Sequence, residues 1–387
     1  MFSFRHFSSP DTNSDSTEEN TSGSSGLIIY VEAVLLTILS LSFLSNYLEH
    51  APLFSGTKNT LYTSAGQGNE ERTFIKWVDF SVTSEAMTQA FRLDVDTCQS
   101  DIHLDWIQLL AYLGARYGGD FSRYQSSDLT GLSEKLLAGA SMEELTENME
   151  YYDYYLEAYG AVLGGLVGIY EEEIPASQAP PQDWLSESVP ETAKETDPET
   201  VWVTKYGLKS FSPIAKGFPY SDYDDFGAAR DYGYRRLHLG HDMMGQVGTP
   251  IIAVESGTVE ALGWNQYGGW RIGIRSFDKK RYYYYAHLRK NYPYQSTLAV
   301  GSTVRAGDVI GYLGRTGYST QENTNNIKEP HLHFGLQLIF DESQKEGNNE
   351  IWISCYELVK FLRQNQCLTE KTPGTKEWHR VYETRDF

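Results

Sequence analysis

The sequence predicts a multi-domain chain: an N-terminal transmembrane helix, an all-α middle domain and a C-terminal, mainly antiparallel β-domain. Three observations carry this reading. Leu27 to Leu44 is an apolar run of 18 residues. Through 77–170, apolar residues recur every three or four positions, as on one face of a helix. From about residue 201 the period drops to two, and glycines punctuate short β-type runs.

Residues 1–26 hold eleven Ser or Thr, four acids and one Arg, and read as a disordered cytoplasmic tail. The run 27–44 is apolar except for Glu32 and small hydroxyls. At ~1.5 Å per residue it spans about 27 Å, enough for a bilayer core. A cleaved signal peptide wants a nearby basic segment and a small-residue cleavage site. Here Arg5 is distant and the following SNYLEHAP has no clear A-x-A pattern. The run is therefore read as a single membrane anchor, with Glu32 one turn inside the boundary. Residues 45–76 form a polar stalk.

The helical domain is placed at 77–170. Asp105 to Tyr117 holds Trp106, Ile107, Leu109, Leu110, Leu113 and Tyr117 in a helical pattern. Asp128 is expected to cap a short helix carrying Leu129, Leu132 and Leu136. Ser141 and Glu144 make a capping box. Beyond it, Leu145, Met149, Tyr152, Leu156, Tyr159, Leu163, Leu166 and Tyr170 alternate steps of four and three, which predicts one long helix packed on partners. Gly160, Gly164 and Gly168 are read as a face for close helix packing. Residues 171–200, with nine acids against one Lys and five prolines, are read as a linker. The β-domain occupies 201–366, with strands expected at 250–254, 257–262, 270–277, 281–288, 308–313 and 331–339. One helix follows at 356–362, and 367–387 is a C-terminal tail.

The chain carries 32 Lys and Arg against 52 Asp and Glu, a net charge of −20. With no basic cluster, nucleic acid is excluded as the main partner. Three cysteines exclude a disulfide-dense scaffold and a Cys-rich zinc module.

Five of nine histidines lie between 238 and 333, which directs the search for chemistry to the β-domain. His238-Leu-Gly-His-Asp242 sets an imidazole and a carboxylate four apart around a glycine. Fully extended, their Cα atoms would stand about 13 Å apart, so the chain must bend for both to reach one ion. His331 and His333 share one face of a strand while Leu332 and Phe334 fill the other. Two adjacent imidazoles are costly to bury without a metal or a shared proton network. His287 ends another strand.

Taken in order, His238-Leu-Gly-His-Asp242, Gly248-Thr-Pro-Ile, Ala286-His287-Leu288, Gly307-Asp-Val-Ile-Gly311-Tyr-Leu-Gly314-Arg-Thr-Gly317 and His331-Leu-His-Phe334 resemble the lysostaphin/LytM-type zinc metalloendopeptidases, bacterial cell-wall peptidases. The resemblance covers about 210–365. It implies one Zn²⁺ held by His238, Asp242 and His333, with His287 and His331 as catalytic histidines. Three protein ligands leave a fourth position for water. His331 would move the proton of that water, and His287 would bind the oxyanion or hold the water. Tyr232 and Tyr234 are alternative candidates for an assisting tyrosine. His241 matches no ligand and is read as loop or groove. The long polar segment between Gly317 and His331 departs from the family pattern and is expected to reshape a groove wall.

The resemblance implies a substrate of peptidoglycan stem or cross-bridge peptides; with the anchor read at 27–44, that substrate makes the chain a single-pass protein of the cell membrane with its peptidase domain outside the cytoplasm. The helical domain matches no motif; it could position the enzyme, form a dimer, bind a protein partner or act as a spacer. The rival readings are a non-catalytic scaffold of the same fold at the cell envelope and a free zinc peptidase of unrelated substrate.

Overall fold

A computed structural model describes residues 74–178, 199–231, 235–347 and 349–386. The expected tail 1–26, the membrane helix 27–44, most of the stalk, the acidic stretch 179–198 and both Tyr232 and Tyr234 lie outside the described residues. Among the described residues, no helix is long and apolar enough to cross a membrane.

Five helices come first: α1 Ser84–Thr97, α2 Trp106–Tyr117, α3 Ser126–Leu137, α4 Met142–Thr146 and α5 Tyr152–Leu163. Each begins or ends for a local reason. The Asp105 side chain accepts from Gln108 N at the start of α2, and Gly118 in the left-handed region ends it. The Ser141–Glu144 capping box opens α4. Asp128 does not cap α3. It lies inside the first turn and accepts hydrogen bonds from Tyr117 Oη (2.6 Å) and Arg116 (2.8 Å), which tie α2 to α3.

The expected long helix does not form. The chain breaks between α4 and α5, and the Gly164–Gly165 pair ends α5. Strand β1 (Val167–Pro175) follows and pairs along its whole length with β2 (Thr200–Leu208). That ladder overrides the heptad-like pattern, as tertiary pairing commonly does. The seam residues Tyr152, Tyr159, Leu163 and Leu166 are buried in this unit's own core. Gly160 faces open space and Gly168 lies in β1, so the three glycines form no packing face. The close approach is at Gly165, where a Cβ would overlap the side chains of Glu255 and Arg281.

The linker reading is corrected at both ends. Glu171, Glu172 and Glu173 are strand residues, and Lys205 Nζ pairs with Glu172 at 2.6 Å. The C-terminal segment 367–387 is folded as well. It contributes β14 (Thr369–Lys371), β15 (Trp378–Arg380) and β16 (Thr384–Asp386), and β16 pairs with the free edge of β1.

Between lie β3 (Ala229–Asp231), β4 (Arg235–Leu237), β5 (His241–Met244), β6 (Pro250–Ile252), β7 (Gly257–Asn265), β8 (Gly269–Ser276), β9 (Arg281–Ala286), β10 (Thr303–Val304), β11 (Val309–Tyr312), β12 (His331–Leu338) and β13 (Ile351–Ile353), then helix α6 (Tyr356–Leu362). The main sheet is antiparallel, ordered β10-β7-β8-β9-β12-β13, with β5 also on β12. The strands fall where the period-two runs predict them, because one face of each is apolar and buried.

Helices and sheet share one core. Phe361 of α6 stacks on Trp106 and meets Phe91 edge-on, with ring centroids at 5.6 and 5.8 Å. Arg281 is 1% exposed. Its guanidinium donates to Glu255 (2.7 and 3.0 Å) and to the Ala161 carbonyl at the end of α5 (2.7 Å). Tyr283 Oη also donates to Glu255, so no charge in this buried cluster lacks a partner.

Candidate metal centre and active site

β12 supplies the first pair of functional side chains. Its alternation sends Leu332 and Phe334 into the core, both fully buried, and His331 and His333 to the other face. The register sets Asp242 of β5 opposite His333. His238 stands just before β5, and the chain reaches it through Gly240. A Cβ at Gly240 would fall 2.5 Å from the His333 ring, so only glycine lets the backbone pass this close.

Three polar atoms converge. His238 Nε2 lies 3.0 Å from Asp242 Oδ1 and 3.0 Å from His333 Nδ1, and His333 Nδ1 lies 2.9 Å from Asp242 Oδ1. His238 and Asp242 are buried, and His333 is partly so. Two ring nitrogens face each other with a carboxylate oxygen between them. Two lone pairs in that position repel unless a proton or a cation sits among them. The two-nitrogen, one-oxygen donor set is that of a zinc centre with three protein ligands, so the residues fit the ion the sequence implied.

The electrostatics follow from burial against partners. Burial alone would raise the Asp242 carboxyl, but the imidazoles of His238 and His333 beside it outweigh that and hold the group far below the usual carboxylate range. Burial works against a charged His238, yet Asp242 and Asp225 reverse the balance and raise it. Burial lowers His333 in spite of Asp242. His287 is pushed well below its ordinary value by burial and then by His331 and His333, so it is neutral at pH 7.

His331 and His287 flank the cluster. His331 Nε2 is 3.7 Å from Asp242 Oδ1, and its Nδ1 donates to the Glu329 carbonyl at 2.8 Å. His287 follows β9 with φ of +63°, a left-handed conformation for a non-glycine residue. Simple alternation would aim a side chain after Ala286 away from the site. The turn brings the His287 ring within 4.7 Å of His331 and 5.8 Å of His333, centroid to centroid. Its Nδ1 donates to the Thr316 carbonyl at 2.9 Å, which leaves Nε2 as an acceptor.

The cluster opens into a groove of about 860 Å³. Leu237, Tyr267, Tyr284 and Trp352 lie along it, and Tyr318 and Lys328 of the long polar segment form part of one wall. Residues 236–346 match the sequence profile of peptidase family M23. That stretch is an M23 peptidase domain.

Its M23 region is similar to the L-Ala–D-Glu endopeptidase of Bacillus subtilis, 39% identical over 124 residues, 32% of this chain and 36% of that protein. It is also similar to lysostaphin of Staphylococcus staphylolyticus, 39% identical over 99 residues, 25% of this chain and 18% of that protein. Among solved structures, the catalytic domain of lysostaphin from Staphylococcus simulans is 35% identical, covering 32% of this chain and 85% of that one, with a TM-score of 0.26. The chain spans about a third or less of the length of these two curated relatives.

Some residues of the M23 site carry no signal in the sequence. Asp225 Oδ1 lies 3.0 Å from His238 Nδ1, and Arg230 bridges Asp225 and Asp242. Both precede His238 on a stretch with no periodic pattern. The reading of His241 as loop or groove is corrected: it sits in β5, 1% exposed. It pairs with Asp222 at 2.8 Å and meets Tyr356 edge-on, so it anchors the strand rather than facing substrate.

Proposed function

We propose that the chain is a zinc metalloendopeptidase that hydrolyses peptide bonds in peptidoglycan stem or cross-bridge peptides. The observation that carries this reading is the pair of imidazoles, His287 and His331, beside a three-ligand cluster at the floor of a groove. A structural zinc site closes itself with four protein groups and needs no such pair.

His238, Asp242 and His333 would hold the ion. Bound zinc would supply Lewis-acid activation of water and of the scissile carbonyl. The remaining work falls to the chain's own groups. His331, its Nδ1 proton committed to Glu329, offers Nε2 as the base that accepts a proton from water and returns it to the departing amine. His287 has its Nδ1 proton committed to Thr316 and is held neutral, so its Nε2 accepts from water and orients it. Of the two roles open to His287 in the sequence, holding the water fits this tautomer; binding an oxyanion would need a proton on Nε2. The groove would take the peptide in extended form.

The cellular reading is a single-pass protein of the cell membrane, anchored by 27–44, with the peptidase region outside the cytoplasm. It is supported by that apolar run and by the location of the substrate. Carbonate extraction should leave the full chain in the membrane fraction, and protease added to wall-less cells should reach 60–387. A mature soluble form beginning near residue 50 would overturn the anchor.

The reaction is tested by incubating the zinc-loaded full-length chain with peptidoglycan of several wall chemotypes. New amine ends should appear and a chelator should abolish them. Tight wall binding with no chelator-sensitive cleavage on any chemotype would replace the enzyme with the scaffold reading.

A further inference from the structure

We propose that Asp225 and Arg230 are positioning residues that hold the metal ligands from behind and keep Asp242 a one-oxygen ligand. The inference rests on the zinc reading above and adds to it how the ligand geometry is enforced.

His238 has two ring nitrogens with different duties. Nε2 faces Asp242 and His333. Nδ1 lies 3.3 Å from the Asp225 carbonyl oxygen, which accepts its hydrogen bond, with the Asp225 Oδ1 charge 3.0 Å away and an Arg230 guanidinium nitrogen at 3.5 Å. The proton therefore sits on Nδ1, and Nε2 turns its lone pair toward the cluster. The loop is locked in place by its backbone: Gly227 N donates to the His238 carbonyl at 2.8 Å, and His238 N donates to the Ala228 carbonyl at 2.9 Å.

The two oxygens of Asp242 also differ. Oδ1 lies 3.0 and 2.9 Å from His238 Nε2 and His333 Nδ1. Oδ2 lies 3.2 Å from an Arg230 guanidinium nitrogen, and that same nitrogen donates to Asp225 Oδ2. Arg230 thus occupies the second carboxylate oxygen. A cation beside a metal site would ordinarily weaken it, and the Asp225 carboxylate offsets that charge. Were Oδ2 released, it could join the ion as well and crowd the position that water needs.

The test uses the full-length chain, stripped with a chelator and reloaded with Zn²⁺ or with Co²⁺ alone. Asp225→Asn should weaken zinc affinity at least about tenfold in chelator competition, the range for loss of an outer-shell partner. Arg230→Gln should dim the visible Co²⁺ bands, because coordination rises above four; Arg230→Met, which fills the space without charge, serves if Arg230→Gln does not fold. Circular dichroism confirms the fold in each. Wild-type zinc affinity in Asp225→Asn, or unchanged Co²⁺ bands in the Arg230 variant, would overturn the inference and leave the zinc reading standing. A wild-type chain that binds neither metal would overturn both.

Discussion

His333 gives one nitrogen to a cluster whose other members, His238 and Asp242, reach it from a different stretch of chain. Removing it leaves two protein donors. Elemental analysis of His333→Ala should therefore show zinc content collapsing, and full occupancy would refute the ligand set. His331 and His287 donate their Nδ1 protons to carbonyls and lie outside the three-atom cluster. His331→Ala and His287→Ala should keep their zinc while turnover falls at least about a hundredfold, as for loss of a proton-transfer group. Near-normal turnover in both would remove them from the chemistry. At this scale, the shared face of His331 and His333 and the bend at Gly240 are legible because they follow from residue type, whereas the ligand and catalytic roles rest on the family resemblance. The direction of His287 is not, since a positive φ on a histidine leaves no mark in the pattern. Nor are Asp225 and Arg230, whose contacts depend on how a loop and the short strand β3 fold back toward His238.

Helix α6 links the helices to the sheet. Glu357 accepts from Ser84 N, at the first residue of α1, at 2.7 Å, and from Lys360 at 2.7 Å. Burial opposes its charge, but these bonds prevail and lower its carboxyl below the ordinary value. A carboxyl lowered on folding stabilises above its unfolded value of ~4.3 and ceases to do so as pH falls through the lower folded value. Glu357→Gln should therefore cost about 0.5–1 kcal/mol at pH 7, as for a carboxylate at a helix N-terminus. The cost should shrink as the pH drops below ~4. Denaturant melts at pH 7 and pH 3.5 check this; an equal deficit at both would exclude the charge as the cause. Elements with a local cause, such as the capping box of α4 and the apolar faces of β7 to β9, can be read from sequence. The break after α4 and the β1 ladder cannot, because residues far along the chain decide them.

At the scale of the molecule, the helices are not a separable spacer. Arg281 reaches the Ala161 carbonyl, Phe361 packs on Trp106, and β2 lies against β1. A fragment of 201–387 loses all of these. It should show no single cooperative unfolding transition, whereas 74–387 should unfold in one step by calorimetry. Full cooperativity in the shorter piece would restore a detachable β-domain. The expected boundary near 200 came from a change of period, which reports local structure and says nothing about which surfaces are shared.

The pairing of β1 with β16 also sets a timetable. Arg385 meets Glu171 across 214 residues of sequence. At about 5–20 residues per second, a ribosome needs roughly 10–40 s to make that stretch. During this interval the helices can form from neighbouring residues, but one edge of β1 stays without a partner. An unpaired edge is open to other strands. The protein's most vulnerable moment is therefore during its own synthesis, and crowding by other nascent chains is the hazard it must outlast.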